Sequence, residues 1–276
     1  MMKTTTDLLA NELKESVRLI QTKERKPVTT AIVLGSGLGD FAESLTKKVI
    51  IPTEKIPHYP ISTVEGHKGR LVFGNIGKTR LLAFQGRVHF YETGHLNTIL
   101  YPIRVAHALG VKKLILTNAA GGINKQFNPG DLMLIVDHIN MTFENPFAGL
   151  NVMKPVKHGG TYDTDLQNLL LDVAKENKIH LQKGVYCCVK GPSYETASEI
   201  DMIKRFGGDA VGMSTVNEVT LASALGIKVV GISCITNFAT GIKDLHLSHA
   251  EVTVVANMVR HKFSLLLTEM VKRLED

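Results

Sequence analysis

The chain has 276 residues, 44% of them hydrophobic and 21% charged, with a formal net charge of +6, three cysteines and no tryptophan. That length suits one large α/β domain over residues 1–276, and no apolar run approaches the roughly 18 residues that a membrane span requires. The cysteines, two of them the neighbours Cys187 and Cys188, make neither a disulfide framework nor metal-ligand spacing, which points to a reducing, cytoplasmic compartment and no bound metal.

Leu9, Leu13, Val17 and Ile20 recur at helical spacing, with Asp7, Glu12, Lys14, Glu15 and Arg18 elsewhere around the turn. This predicts an amphipathic helix docked on the domain and ended by Pro27. Met1 to Lys26 also lacks the apolar stretch of a signal peptide. A strand over 29–34 runs into Gly35-Ser36-Gly37-Leu38-Gly39-Asp40. The dinucleotide fingerprint needs a glycine where Asp40 stands. The loop therefore reads either as a phosphate seat, with Ser36 adding a hydroxyl donor, or as a tight turn.

Residues 52–63, rich in Pro and Thr, predict an irregular loop. Strands over 70–76 and 79–85 pair as a hairpin through Gly77-Lys78. If the chain stays extended from Gly86 to Glu92, Arg87, His89 and Tyr91 share a face while Val88 and Phe90 take the other. A guanidinium fork, an imidazole and a phenol would then meet, either as an anion and sugar site or as a solvated edge.

A helix over 97–109, closed by Gly110, leads to a buried central strand around Leu114, Ile115 and Leu116. After that strand, Asn118-Ala119-Ala120-Gly121-Gly122 reads as a small-residue loop whose backbone is open to a ligand. Asn128 to Asp131 form a turn, 132–139 another strand, and 140–161 show no periodicity. Beyond them, strands over 184–189, 209–212 and 227–235 alternate with helices. These open on Thr164 with Gln167, Thr196 with Glu199, Thr215 with Glu218 and Ser248 with Glu251. Gly207 and Gly226 close the intervening helices. The alternation predicts a mixed, mostly parallel β-sheet flanked by helices.

Gly35-Ser36-Gly37-Leu38-Gly39, Glu65-Gly66-His67, Gly86-Arg87-Val88-His89, Thr117 to Gly122, Gly191 to Thr196, Val211 to Thr215 and Thr236-Asn237 resemble, in order, the motifs of the trimeric purine nucleoside phosphorylase family. The resemblance spans almost the whole chain. It implies phosphorolysis of 6-oxopurine (deoxy)ribonucleosides to free base and α-D-pentose 1-phosphate in purine salvage. It also implies a homotrimer, with inorganic phosphate as co-substrate and no metal or organic cofactor. Carried over, Ser36, His67, Arg87, His89, the Ala119 amide and Ser214 bind phosphate, while Tyr91, Met213 and His249 border the ribose. Tyr194, Glu195 and Asn237 hold the base, and Asn237, His89 and Glu195 form the catalytic set.

The Arg-Phe pair that usually follows Asn-Pro-x-x-Gly in that family is absent after Asn145-Pro146-Phe147-Ala148-Gly149. No residue is therefore assigned to a neighbouring subunit's ribose pocket. Three other readings make different predictions. The sister 5′-methylthioadenosine phosphorylases usually carry a carboxylate at the position of Asn237. A dinucleotide-dependent oxidoreductase would use the Gly35 to Gly39 loop. A nucleic-acid-binding protein would show steeply salt-sensitive binding, but here the basic residues are scattered and Lys23 to Lys26 is broken by Glu24.

Overall fold

Helices and strands follow one another through most of the chain, and the computed structural model describes residues 5–64, 66–147, 160–243 and 249–274. The first half contains α1 (Thr5–Lys23), β1 (Thr30–Leu34), β2 (Thr46–Pro52), β3 (Arg70–Ile76), β4 (Thr79–Gln85), α2 (Phe90–Thr93), α3 (Leu96–Ala108) and β5 (Lys113–Gly122). The second half contains β6 (Leu132–Asn140), α4 (Thr164–Glu176), β7 (Leu181–Cys188), α5 (Ala197–Arg205), β8 (Ala210–Gly212), α6 (Val216–Ala224), β9 (Lys228–Phe238), α7 (His249–Met258) and α8 (Arg260–Lys272). Among the described residues, no helix is long and apolar enough to cross a membrane.

The strands form one sheet in the order β2-β3-β4-β1-β5-β8-β7-β6-β9, and β9 pairs back onto β5. Strands β5, β8, β7, β6 and β9 thus close a ring, from which β1, β4, β3 and β2 extend as an open wing. Five of the nine described pairings are parallel and four antiparallel, so the sheet is mixed with only a narrow parallel majority.

Strand β5 is where ring and wing meet. One of its edges pairs with β9 from Lys113 to Gly122. The other pairs with β1 only over Lys113 to Leu116 and with β8 only at Gly121 and Gly122. Between these contacts, Thr117 to Ala120 have no strand beside them on that edge. The sheet therefore splits at the carboxyl ends of β1, β4 and β5, the place where α/β sheets receive ligands.

Burial follows from strand periodicity. Ala31 and Val33 of β1 face a core shared with α1, α3 and α6, whereas Ile32 and Leu34 face one built with α4 and α8. The sheet is thus apolar on both sides, which is why its inner strands read as unbroken hydrophobic runs.

Several expectations are corrected. Thr117 to Gly122 and Thr236-Asn237 belong to strands β5 and β9 rather than to loops after them, because the ring supplies ladder partners to residues too small to signal a strand. Strand β2 was not anticipated. It is an edge strand in which only Ile51 is buried, so it lacks the apolar pattern of its neighbours. The first α4 cap is Asp163, which accepts from Leu166 N at 3.1 Å, and Thr164 is the first helical residue. Strand β6 continues to Asn140, shortening the expected 140–161 loop, of which 148–159 lie outside the described residues. Glu65 and Ser248 also lie outside them, as does the His249 side chain, although the His249 backbone begins α7.

Candidate active site

The split beside β5 opens into a cleft, the kind of concave place where small molecules bind. Its walls carry Ser36, Arg87, His89, Tyr91, Ala119, Tyr194, Glu195, Met213, Ser214 and Asn237. Each of these was expected from the sequence to face substrate. They come from six separate segments, brought together by the carboxyl ends of β1, β4, β5, β7, β8 and β9.

The first wall depends on a close approach of backbones. A Cβ on Gly35 would lie 2.7 Å from the Thr117 carbonyl oxygen and 2.9 Å from Asn118 Cα. Only glycine lets the Ser36 turn lie against the unpaired edge of β5. On the opposite wall Gly191 has φ +65°, and a Cβ there would come within 2.3 Å of Met213 Sδ and 3.0 Å of Tyr91. This glycine allows the loop carrying Tyr194 and Glu195 to close over those two residues.

Arg87 points where the alternation predicted, but its guanidinium is anchored from behind. Nη1 donates to Thr215 Oγ1 at 3.1 Å and to Glu218 Oε2 at 3.0 Å, and Nη2 donates to the Thr117 carbonyl. Arg87 and Glu218 make a buried ion pair, their side chains 3% and 8% exposed. Three N–H groups are engaged in these contacts, so two of the five that arginine carries are left for a ligand.

The segment after Arg87 is not extended as far as expected. His89 is the N-cap of the single-turn helix α2, and Glu92 closes that turn by accepting from His89 N at 2.5 Å. Tyr91 still shares the face of His89 because the turn folds it back. The rings of His67 and His89 stack with centroids 5.4 Å apart, and those of His89 and Tyr91 with centroids 5.0 Å apart.

Glu92 holds this arrangement together. Its carboxylate also accepts from Thr63 N at 2.5 Å, Thr63 Oγ1 at 2.9 Å and Ser62 Oγ at 3.2 Å, tying the segment before His67 to the one carrying His89. Burial works against the charge of Glu92, but the hydrogen bonds from His89 and Thr63 outweigh it and hold the carboxyl at about 2.

His67 stands behind the cleft wall rather than in it. Its Nδ1 lies 2.8 Å from the Arg87 carbonyl oxygen, 3.0 Å from Ser62 Oγ and 3.3 Å from the Arg87 backbone N, which together fix the ring. Burial, with the charges of His89 and Arg87 adding to it, pushes its pKa down to about 4. The ring is therefore neutral at pH 7, with Nε2 3.4 Å from Ser36 Oγ.

At the other end of the cleft, Asn237 Oδ1 accepts from Thr236 Oγ1 at 2.9 Å while Nδ2 donates to the Phe238 carbonyl at 3.0 Å. The amide is thus fixed in one sense, with its second N–H available. Burial raises the Glu195 pKa above its ordinary value, and burial, with Glu92 and Tyr194 adding, lifts the Tyr91 phenol to about 12.

Sequence reasoning did not assign a site role to Glu218, Thr215, Thr236, Glu92, Ser62 or Thr63. The Thr215/Glu218 spacing had marked a helix start, and Thr215 N does donate to Glu218 Oε2 at 2.7 Å. Its second task, holding Arg87, required knowing that β4 and α6 meet. His89 and Glu92 have the same spacing, but histidine is not a common cap residue.

Comparisons with known proteins agree with this geometry. Residues 29–272 match the family model described as the phosphorylase superfamily. Purine nucleoside phosphorylase 1 of Bacillus subtilis is 47% identical over 248 residues, covering 88% of this chain and 92% of that protein. The structure of Schistosoma mansoni purine nucleoside phosphorylase in complex with inosine has a TM-score of 0.86 at 33% identity, covering 96% of this chain and 97% of that one. The corresponding adenosine complex has a TM-score of 0.86 at 34% identity, covering 96% and 98%. The split sheet and the residues around it, together with similarity over almost the whole chain, establish that this protein belongs to the purine nucleoside phosphorylases, pentosyltransferases of the phosphorylase superfamily.

Proposed function

We propose that the substrates are 6-oxopurine (deoxy)ribonucleosides such as inosine and guanosine, cleaved by inorganic phosphate to free base and α-D-pentose 1-phosphate, in cytoplasmic purine salvage by a homotrimer. The observation that carries the base preference is the fixed sense of the Asn237 amide. Nδ2 gives one N–H to the Phe238 carbonyl and keeps the second for the cleft, while Oδ1 is turned toward the Thr236 hydroxyl. A donor suits N7 and O6 of hypoxanthine or guanine, which accept, and has no partner in the N6 amino group of adenine. Glu195, as a carboxylate, accepts from N1–H and from the 2-amino group of guanine.

In the reaction the C1′–N9 bond breaks and a C1′–O bond to phosphate forms. Positive charge develops on the sugar, as in other glycosidic cleavages, and negative charge on the departing base. Ser36, Arg87, His89, the Ala119 amide and Ser214 hold the phosphate, which supplies both nucleophile and counter-charge. His67 supports Ser36 and His89 from behind. Tyr91 and Met213 border the ribose, with His249 of α7 as the expected partner of the 5′-hydroxyl. Tyr194 covers the base, and the Asn237 N–H strengthens its bond as charge reaches N7 and O6. The site needs no metal or organic cofactor for this chemistry.

The adenosine complex of the Schistosoma relative supports a second reading, in which 6-aminopurine nucleosides are also accepted. The testing experiment incubates inosine, guanosine and adenosine with and without phosphate and follows base release together with the 31P signal of the sugar phosphate. Equimolar hypoxanthine and ribose 1-phosphate from inosine, only when phosphate is present, is the expected result. Base release without phosphate, or a preference for adenosine, would overturn the proposal.

A further inference from the structure

Thr215 occupies an unusual backbone position for a β-branched residue. Its φ and ψ are +81° and −51°, and Val216 N donates to the Ser214 carbonyl at 3.0 Å across it. This is a three-residue γ-turn of the rare, strained kind. It is held from several sides. Glu218 accepts from Thr215 N at 2.7 Å, and the buried Cys188 thiol donates to the Ser214 carbonyl at 3.1 Å. Residues neighbouring in an extended chain point to opposite faces. The γ-turn instead places Ser214 Oγ and Thr215 Oγ1 3.1 Å apart.

With the Asn118 amide in the sense that turns Nδ2 toward Thr215 and leaves its own buried Oδ1 without a partner, the hydrogen-bond inventory of Thr215 has one solution. Arg87 Nη1 donates to Thr215 Oγ1 at 3.1 Å and Asn118 Nδ2 does so at 2.9 Å. A hydroxyl oxygen has two lone pairs, and both are used. The hydroxyl proton must go to the remaining neighbour, Ser214 Oγ. Ser214 accepts that proton and is left to donate its own, and Ser214 lines the cleft. We propose that Thr215 is a positioning residue: the γ-turn and the two donors behind it fix the direction of its hydroxyl, which in turn aims the Ser214 hydroxyl proton at the bound phosphate. The strained turn is retained because a relaxed backbone would separate the two hydroxyls. This deepens the proposed function and rests on its assignment of phosphate to Ser214.

A double-mutant cycle tests it, with inorganic phosphate affinity read by titration calorimetry and the phosphate KM by kinetics. Ser214→Ala should weaken phosphate by about 10- to 100-fold, the range of a hydrogen bond to a charged group, with the nucleoside KM nearly unchanged. Thr215→Val should lose a comparable factor, Thr215→Ser should stay within about threefold of wild type, and Ser214→Ala/Thr215→Val should be no worse than Ser214→Ala within about twofold. Thr215→Ala, read in the same way, replaces the valine variant if that one does not fold. If Ser214→Ala leaves phosphate unaffected, the phosphate assignment itself fails. If it weakens phosphate but the two effects multiply, or Thr215→Ser is as impaired as Thr215→Val, the site assignment stands and the relay is overturned.

Discussion

Arg87→Met separates two tasks that one side chain performs. The variant keeps the volume of the buried side chain and removes its charge, leaving Glu218, only 8% exposed, without the partner now 3.0 Å away. Breaking a buried pair from one side costs about 3–5 kcal/mol. For 276 residues, an unfolding entropy of about 2.1 cal/mol/K per residue gives about 0.6 kcal/mol/K, so Tm should fall by about 5–9 °C in phosphate-free buffer. Arg87→Met/Glu218→Gln removes both charges while still accepting from Thr215 N, and should regain all but about 2 °C. Neither variant should bind phosphate. Wild type at a hundred times its phosphate Kd should gain about 2.7 kcal/mol, or about 5 °C. Scanning fluorimetry with and without phosphate, combined with phosphate kinetics, measures all of these. An unchanged Tm in Arg87→Met, or a double variant as unstable as the single one, would refute the buried-pair reasoning. A surviving phosphate-induced shift would remove Arg87 from the anion site.

His67, with its pKa depressed by burial to about 4 against an ordinary 6.5, should show no imidazole titration by NMR between pH 5.5 and 8. Because the unfolded chain takes up that proton near pH 6.5 and the native ring only near pH 4, stability rises with pH between about 4 and 6.5 and is level above that. Its loss on acidification should be smaller by about 3 kcal/mol in His67→Asn, as measured by denaturant titration. Glu195 should set an acid limb in nucleoside kcat/KM, lying above the ordinary carboxyl value of 4.5 because burial raises its pKa. Activity falls as the carboxylate is protonated, and a limb that persists unchanged in Glu195→Gln would contradict the assignment.

The strands of the sheet interior were legible because both faces are buried and the apolar runs are continuous, as with Leu114, Ile115 and Leu116. Small residues hid the ends of β5 and β9. Asn118 to Gly122 look like a loop to any local rule, and only the ring of β5, β8, β7, β6 and β9 makes them a strand. The exposed faces of the site were equally readable, since Arg87, His89, Glu195 and Asn237 sit in recognisable motifs. The groups that hold them were not. Glu218 reaches Arg87 across 131 positions of sequence and Thr117 reaches it across 30, contacts set by topology. His89, Tyr91 and His67 came together as expected, but through a helical turn and a stack of rings, because Glu92 caps that turn.

The measurement that bears most directly on the central claim compares inosine with adenosine in wild type and in Asn237→Asp. The wild-type amide keeps its second N–H for the base, its sense held by the Phe238 carbonyl on Nδ2 and the Thr236 hydroxyl on Oδ1. An aspartate carboxylate can only accept, so it opposes O6 and N7 of inosine and suits the N6 amino group of adenosine. A buried mismatch of this kind costs about 1–3 kcal/mol, or about one to two decades in kcat/KM. Wild type should prefer inosine, and the variant should lose inosine activity while gaining relative activity on adenosine, with a smaller inosine loss at low pH where the new carboxyl is protonated. An inosine-to-adenosine ratio that is the same in both proteins would mean that Asn237 does not read the base.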